Sequence, residues 1–145
     1  MEINKGYSES TEEIIRLFNE SNFIEDTEFI LGVSHDKMNK IYHRADAFVM
    51  TSIQEGQPVS AIEAACTGLP IFSTRCGGVE DYVDENIGRI VNINDSYILA
   101  LHLKDFLENK INFNREYIRE VIINRFGKKI FVNNMHEAFE SVMNN

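Results

Sequence analysis

Hydrophobic positions along this chain change from a strand-like to a helix-like spacing and back, and the changes mark its elements. Residues 47–50 form a continuous apolar run that stops at Thr51 and Ser52, which predicts a short buried strand. After a loop, Pro58 opens a segment in which Val59, Ile62, Ala65 and Cys66 recur at helical intervals and give one apolar face. Pro58 suits the first helical position, where a missing N–H costs nothing and its φ is already helical. Gly68 suits the residue just past the helix end, and Pro70 forbids continuation. A second apolar run at 69–72 predicts the next strand. Two strands joined by a single helix make a parallel βαβ unit.

The same patterning extends to both sides of this unit. Ser10, Thr11, Glu12 and Glu13 combine a capping residue with first-turn acids, and Ile14, Leu17 and Phe18 then predict a helix ending near Ser21 and Asn22. Ahead of it, Met1 to Ile3 read as the remnant of a strand ending at Gly6, and residues 27–31 predict a short strand. Met38, Ile41 and Tyr42 share one face of a helix over 35–44. Downstream lie a turn at 80–83, a strand at 89–93, and a helix capped by Asp95 and carrying Ile98, Leu99, Leu101, His102, Phe106 and Leu107. Helices at 114–125 and 128–143 follow without an intervening strand. The aromatic residues Phe106, Phe113, Tyr117, Phe126, Phe131 and Phe139 sit on helical stripes and read as core, and Tyr82 reads as packing beneath its loop. The expected fold is α/β: a Rossmann-like parallel sheet with flanking helices and a helical C-terminal tail.

Composition narrows the picture. The 145 residues suffice for one domain and not for two Rossmann-like domains. Apolar content of 43% and charged content of 26% are ordinary for a globular chain. No apolar run approaches the roughly 20 residues of a membrane span, and the first residues lack a signal peptide's apolar region, so a cytoplasmic setting is expected. A net charge of −9 argues against nucleic-acid partners, yet leaves room for a nucleotide held by helix ends and local cations. Cys66 reads as core and Cys76 as an incidental loop thiol. The four histidines, His35, His43, His102 and His136, show no metal-ligand spacing.

Chemistry is expected where the first strand of the βαβ unit ends. Ligands of such units lie at the carboxyl ends of the strands, and Glu55 and Gly56 occupy that place just ahead of the helix. The free N–H groups of a first helical turn and the helix dipole favour an anion there, such as a phosphate.

These residues form a recognisable set: Ala45-Asp46 before the strand, Ser52 at its end, Glu55-Gly56-x-Pro58, Glu63-Ala64, Gly68-x-Pro70 and Gly77-Gly78. The set resembles the donor-binding core of group 1 glycosyltransferases, retaining enzymes of GT-B fold that use nucleotide-activated sugars. Seven residues separate Glu55 from Glu63, as in that family's paired glutamates. The resemblance implies that Glu55 is the catalytic-site glutamate at the donor sugar's hydroxyls and that Glu63 meets the ribose. Gly56, Gln57, Pro58, Val59 and Ser60 would form the helix entry, and Gly77 and Gly78 a close-approach loop beside the sugar. It implies a UDP- or GDP-linked donor, no metal, and a glycan or lipid-linked acceptor brought by a separate N-terminal domain. Gln57 replaces the aromatic residue commonest in the family, which leaves the sugar open.

Each residue also has a plainer reading. The plainer reading of Glu55 is a solvated loop acid, of Glu63 an acid on an exposed helix face, of Gly77-Gly78 an ordinary turn, and of Arg75 a solvated cation rather than a phosphate partner, while Glu80 and Asp81 stand where the family often has Pro-Glu and carry no assigned role. The family's C-terminal domain begins with a strand and a basic segment, and this sequence is expected to enter after them, so that residues 1–145 form a single partial domain with weak or absent catalysis by itself. Without that first strand, the strand at 47–50 is expected to present an open edge, a route to self-association. Two other classes stay in view: a non-catalytic nucleotide-binding or interaction module, and a flavodoxin-like phospho-acceptor domain, which lacks the acidic cluster it would need.

Overall fold

The computed structural model describes residues 9–20, 24–28, 30 and 32–143. Contacts divide the chain into two compact units, Met1–Ser34 and His35–Asn145. In the first, helix α1 (Glu9–Glu20) opens one residue before the expected Ser10 cap, and a 3-10 turn covers Ile24–Asp26. Arg16 pairs with Glu20 one turn on at 3.9 Å, an exposed pair of small energetic value. The strand expected at 27–31 is not formed at Thr27, Glu28 or Ile30, and its other positions lie outside the described residues, as does the strand remnant at Met1 to Ile3.

The second unit is a three-layer α/β arrangement. It contains α2 (His35–Tyr42), β1 (Phe48–Met50), α3 (Val59–Cys66), β2 (Ile71–Thr74), β3 (Gly88–Val91), α4 (Ser96–Leu107), α5 (Arg115–Phe126) and α6 (Lys128–Met143). The sheet order is β1-β2-β3, parallel throughout, with Phe48 opposite Ile71 and Ile71 opposite Gly88. Among the described residues β1 has β2 as its one ladder partner.

Strand period sends alternate residues of β2 to opposite faces. Ile71 joins Ala61, Ala64, Ala65, Ile118 and Ile122 in the layer built by α3 and α5, whereas Phe72 joins Val91 and Leu99 beneath α4. On the α4 side, Phe72, Phe106 and Phe113 form a ring cluster with centroids 5.6 to 5.9 Å apart, a spacing that adds to burial. The alanines of α3 let α5 approach closely, and Ile118 and Ile122 are wholly buried there.

Several boundaries differ from the sequence reading for identifiable reasons. β2 begins at Ile71 rather than Leu69, because the Leu69 N–H is taken by the Ala64 carbonyl in the cap of α3 and Pro70 has none to give. It runs on through Ser73 and Thr74, buried polar residues that apolar counting omits; the Thr74 hydroxyl is satisfied by the Ser52 carbonyl. β3 stops at Val91, since Asn92 to Asp95 turn through Asn94 at φ 66°. Pro58 is the N-cap and not the first helical residue, with φ −72° and ψ 101°. Gly68 follows the helix with φ +85°, as expected.

The aromatic stripes divide. Phe106, Phe113 and Phe126 pack against the core, Tyr117 is exposed, and Phe131 and Phe139 on α6 are 63% and 62% exposed, contrary to expectation. Periodicity identifies a stripe and cannot say what covers it; α6 packs against α5 and has no buried residue. No described helix is long and apolar enough to cross a membrane.

The α3–α5 contact should dominate stability. Truncating Ile118, which is 0% exposed, to alanine is expected to cost about 2–5 kcal/mol in urea unfolding. Ile123→Ala, one residue past buried Ile122 and 37% exposed, should cost less than half as much.

Candidate functional site

Because the strands are parallel, the chain leaving β1 and the chain leaving β2 emerge at the same end of the sheet, where their loops are tied together. The Glu55 N–H donates to the Cys76 carbonyl at 2.7 Å, and the Thr74 hydroxyl to the Ser52 carbonyl at 2.6 Å. Gly77 and Gly78 take φ of +93° and +73°. A Cβ at Gly77 would lie 2.6 Å from the Glu55 carbonyl oxygen, and one at Gly78 2.2 Å from that of Gly56. Glycine is therefore required twice over, by dihedral and by space. The Glu80 carboxylate folds back to accept the Gly77 N–H, at 3.2 and 3.1 Å to its two oxygens, so Glu80 braces the glycine turn. Cys76, expected as an incidental loop thiol, is buried beside it. Arg75 is exposed, and Asp81 offers its backbone carbonyl to Arg125.

Within this frame the half-buried Glu55 is oriented by Ser52, whose hydroxyl donates to Oε1 at 2.8 Å. Gly56 and Gln57 continue to the start of α3. Pro58 carries no N–H, and its carbonyl receives the Ala61 and Ile62 N–H groups at 3.2 and 3.3 Å. The Val59 and Ser60 N–H groups have no acceptor among the described residues, as expected of a first helical turn, which carries the positive end of the helix dipole. Val59, expected on the apolar face, is 62% exposed at this entry. The residues from Glu55 to Ser60 and the Gly77-Gly78 turn thus form one continuous surface at the carboxyl ends of β1 and β2.

Glu63 lies one turn further along α3 and faces α2. Its side chain is 28% exposed; Oε1 is 3.2 Å from His35 Nε2, and Oε2 accepts from the Tyr42 hydroxyl at 3.3 Å. These residues line a cavity of about 390 Å³ that continues past Asn39, Cys66 and Thr67 to Arg119. Glu55 is not among its lining residues, so the two glutamates do not share this cavity. Burial pushes the Tyr42 phenol up to about 12, helped by the Glu63 charge and their hydrogen bond. Burial also raises the Cys66 thiol, with Arg119 acting against it. Among the described residues no cluster of His, Cys, Asp and Glu is suited to hold a metal ion.

The contacts of Tyr42 and His35 with Glu63 were not legible in the sequence, because their partner lies across the fold and neither belongs to a local motif. Glu80 could have been suspected from its spacing of three residues after Gly77, which permits a side chain to reach back to that N–H.

The model of the family described as glycosyl transferases group 1 matches residues 5–140. The chain belongs to this family. Among curated relatives, this group 1 chain is 33% identical over 101 residues to the UDP-Gal:alpha-D-GlcNAc-diphosphoundecaprenol alpha-1,3-galactosyltransferase of Escherichia coli, covering 68% of the chain and 26% of that protein. It is 37% identical over 62 residues to a sucrose synthase of Acidithiobacillus caldus, covering 42% of the chain and 8% of that protein. Among solved structures it is similar to a sucrose-phosphate synthase from Thermosynechococcus elongatus, with a TM-score of 0.80 at 21% identity, over 97% of this chain and 36% of that one. A lipopolysaccharide outer core galactosyltransferase in its apo form gives a TM-score of 0.79 at 21% identity, over 92% of this chain and 38% of that one. The fold is that of part of a GT-B glycosyltransferase, and the chain spans about a quarter or less of these two curated relatives.

Gly78→Ala should lower stability by about 1–3 kcal/mol and shift the amide signals of residues 55–57. Gly56→Ala, where nothing lies within 4 Å of an added Cβ, should stay within about 0.5 kcal/mol in the same thermal unfolding assay. The phenols of Tyr42 and Tyr82, raised from 10.0 to about 12, contribute stability that is fully present below pH 10 and declines as the pH rises toward 12. The alkaline limb of an unfolding profile should therefore be shallower for Tyr42→Phe.

Proposed function

We propose that this chain is the donor-binding part of a retaining group 1 glycosyltransferase. In this reading Glu55 meets the hydroxyls of the transferred sugar, Glu63 meets the ribose, and the diphosphate lies over the start of α3. The observation that carries it is the joined loop pair. Glu55 is fixed by Ser52 and by the Cys76 carbonyl beside a helix start whose first N–H groups have no acceptor among the described residues, and Glu63 lines a cavity large enough for part of a nucleoside.

The chemistry follows from these positions. As the bond from sugar to diphosphate breaks, negative charge collects on the leaving oxygen. The Val59 and Ser60 N–H groups, already oriented, stabilise that charge without reorganising. Glu55, with one oxygen engaged by Ser52 and the other open, accepts sugar hydroxyls with fixed direction and holds the anomeric carbon for attack. The reading calls for no metal. The acceptor is a glycan or lipid-linked saccharide presented by protein beyond these residues. The donor of the Escherichia coli relative is UDP-linked, as its name states, which makes UDP the first nucleotide to test and GDP the second.

Titration of the chain with UDP, GDP and ADP, followed by backbone amide NMR, is the test. One nucleotide is expected to give saturable shifts across residues 56–63. Glu63→Ala should weaken it about ten- to a hundredfold, the worth of a hydrogen bond to a charged group. A well-dispersed spectrum unmoved by millimolar nucleotide would overturn the donor-site reading for this chain.

A further inference from the structure

Glu63 does not stand free in its cavity. A carboxylate has two oxygens and about four acceptor sites, and each oxygen of Glu63 already faces one partner from α2: Tyr42 at Oε2 and His35 at Oε1. One acceptor direction on each oxygen is left, the pattern that two neighbouring hydroxyls of a sugar can meet.

The two partners are unequal. Tyr42 is 5% exposed, and its ring is fixed edge-on against Phe48 with centroids 6.2 Å apart. The His35 side chain is 84% exposed and is not held in this way, so its contact is weakened by water and by its own freedom. Arg119, the other charged group lining the cavity, gives its guanidinium to the Cys66 carbonyl at 2.9 Å. At 3.3 Å the Tyr42 contact is long for an O–H···O bond.

Resting on the donor-site reading above, we propose that Tyr42 is a positioning residue for Glu63, setting the carboxylate so that it discriminates ribose from deoxyribose in the bound nucleotide. The phenol is suited to this because it keeps its proton: burial and the Glu63 charge hold it near 12, so it remains a donor across the neutral range.

The experiment measures affinities of the full chain for the ribo and 2′-deoxy forms of UDP, GDP and ADP, for the unsubstituted protein, Tyr42→Phe, Glu63→Ala and the double variant. Phenylalanine keeps the ring packing and removes only the hydroxyl. The unsubstituted chain is expected to prefer one ribonucleotide, Glu63→Ala to abolish the preference, and Tyr42→Phe to shrink it about three- to tenfold. The double variant should match Glu63→Ala alone. If Tyr42→Phe weakens both forms equally, or leaves the preference unchanged, while Glu63→Ala still removes it, the positioning role is overturned and the donor site stands. If no nucleotide binds, the donor-site reading falls and this inference with it; if one binds and Glu63→Ala keeps the preference, the ribose role of Glu63 and this inference fall while the donor site stands.

Discussion

Strand β2 is paired on both sides and buried at every position, and the placement of the site follows from how it is held. Parallel ladders to β1 and β3 fix where Met50, Thr74 and Val91 end, and those endpoints determine which loops meet. Alternate side chains then anchor different layers: Ile71 sits under α3 and α5, Phe72 under α4. Because both faces are covered, a slip of one residue would exchange the two sets and place Ser73 where Phe72 packs, so the register is strongly specified. The Thr74 hydroxyl, donating to the Ser52 carbonyl, carries that register out of the sheet and into the loop that orients Glu55.

The site is thus built on the scaffold with little dependence on long flexible side chains. Backbone groups fix the loop pair, a short hydroxyl orients Glu55, and a helix start supplies N–H groups already aimed. Such an arrangement suits chemistry in which charge develops on a leaving group, because the stabilising dipoles need no rearrangement. Glu63 is organised differently. It depends on a second helix, α2, whose Tyr42 and His35 come from opposite ends of the same element.

The central βαβ unit was legible because its signals are local: an apolar run, a proline, a helical stripe, then Gly68 and Pro70. The glycine pair and the paired glutamates were visible for the same reason. What escaped was set by contacts across the chain. β2 was placed two residues early because buried Ser73 and Thr74 do not look like core, although their hydroxyls donate to the Thr74 and Ser52 carbonyls. Val59 was assigned inward on helical period alone, while its position at the sheet's end leaves it exposed. The stripe on α6 was read as core, yet a period describes one helix and says nothing of its neighbour. Tyr42 reaches Glu63 across 21 residues, a distance at which no local motif operates.

The turn at Gly77 and Gly78 bears on what the gene encoding this chain can tolerate. Every amino-acid replacement reachable from a glycine codon by a single-base change introduces a Cβ. At these two positions that atom would strike the carbonyl oxygens of Glu55 and Gly56. The usual stepwise path of neutral exchange is closed here, while Gly56, one loop away, has open space around it. That closure concerns backbone volume before it concerns any ligand.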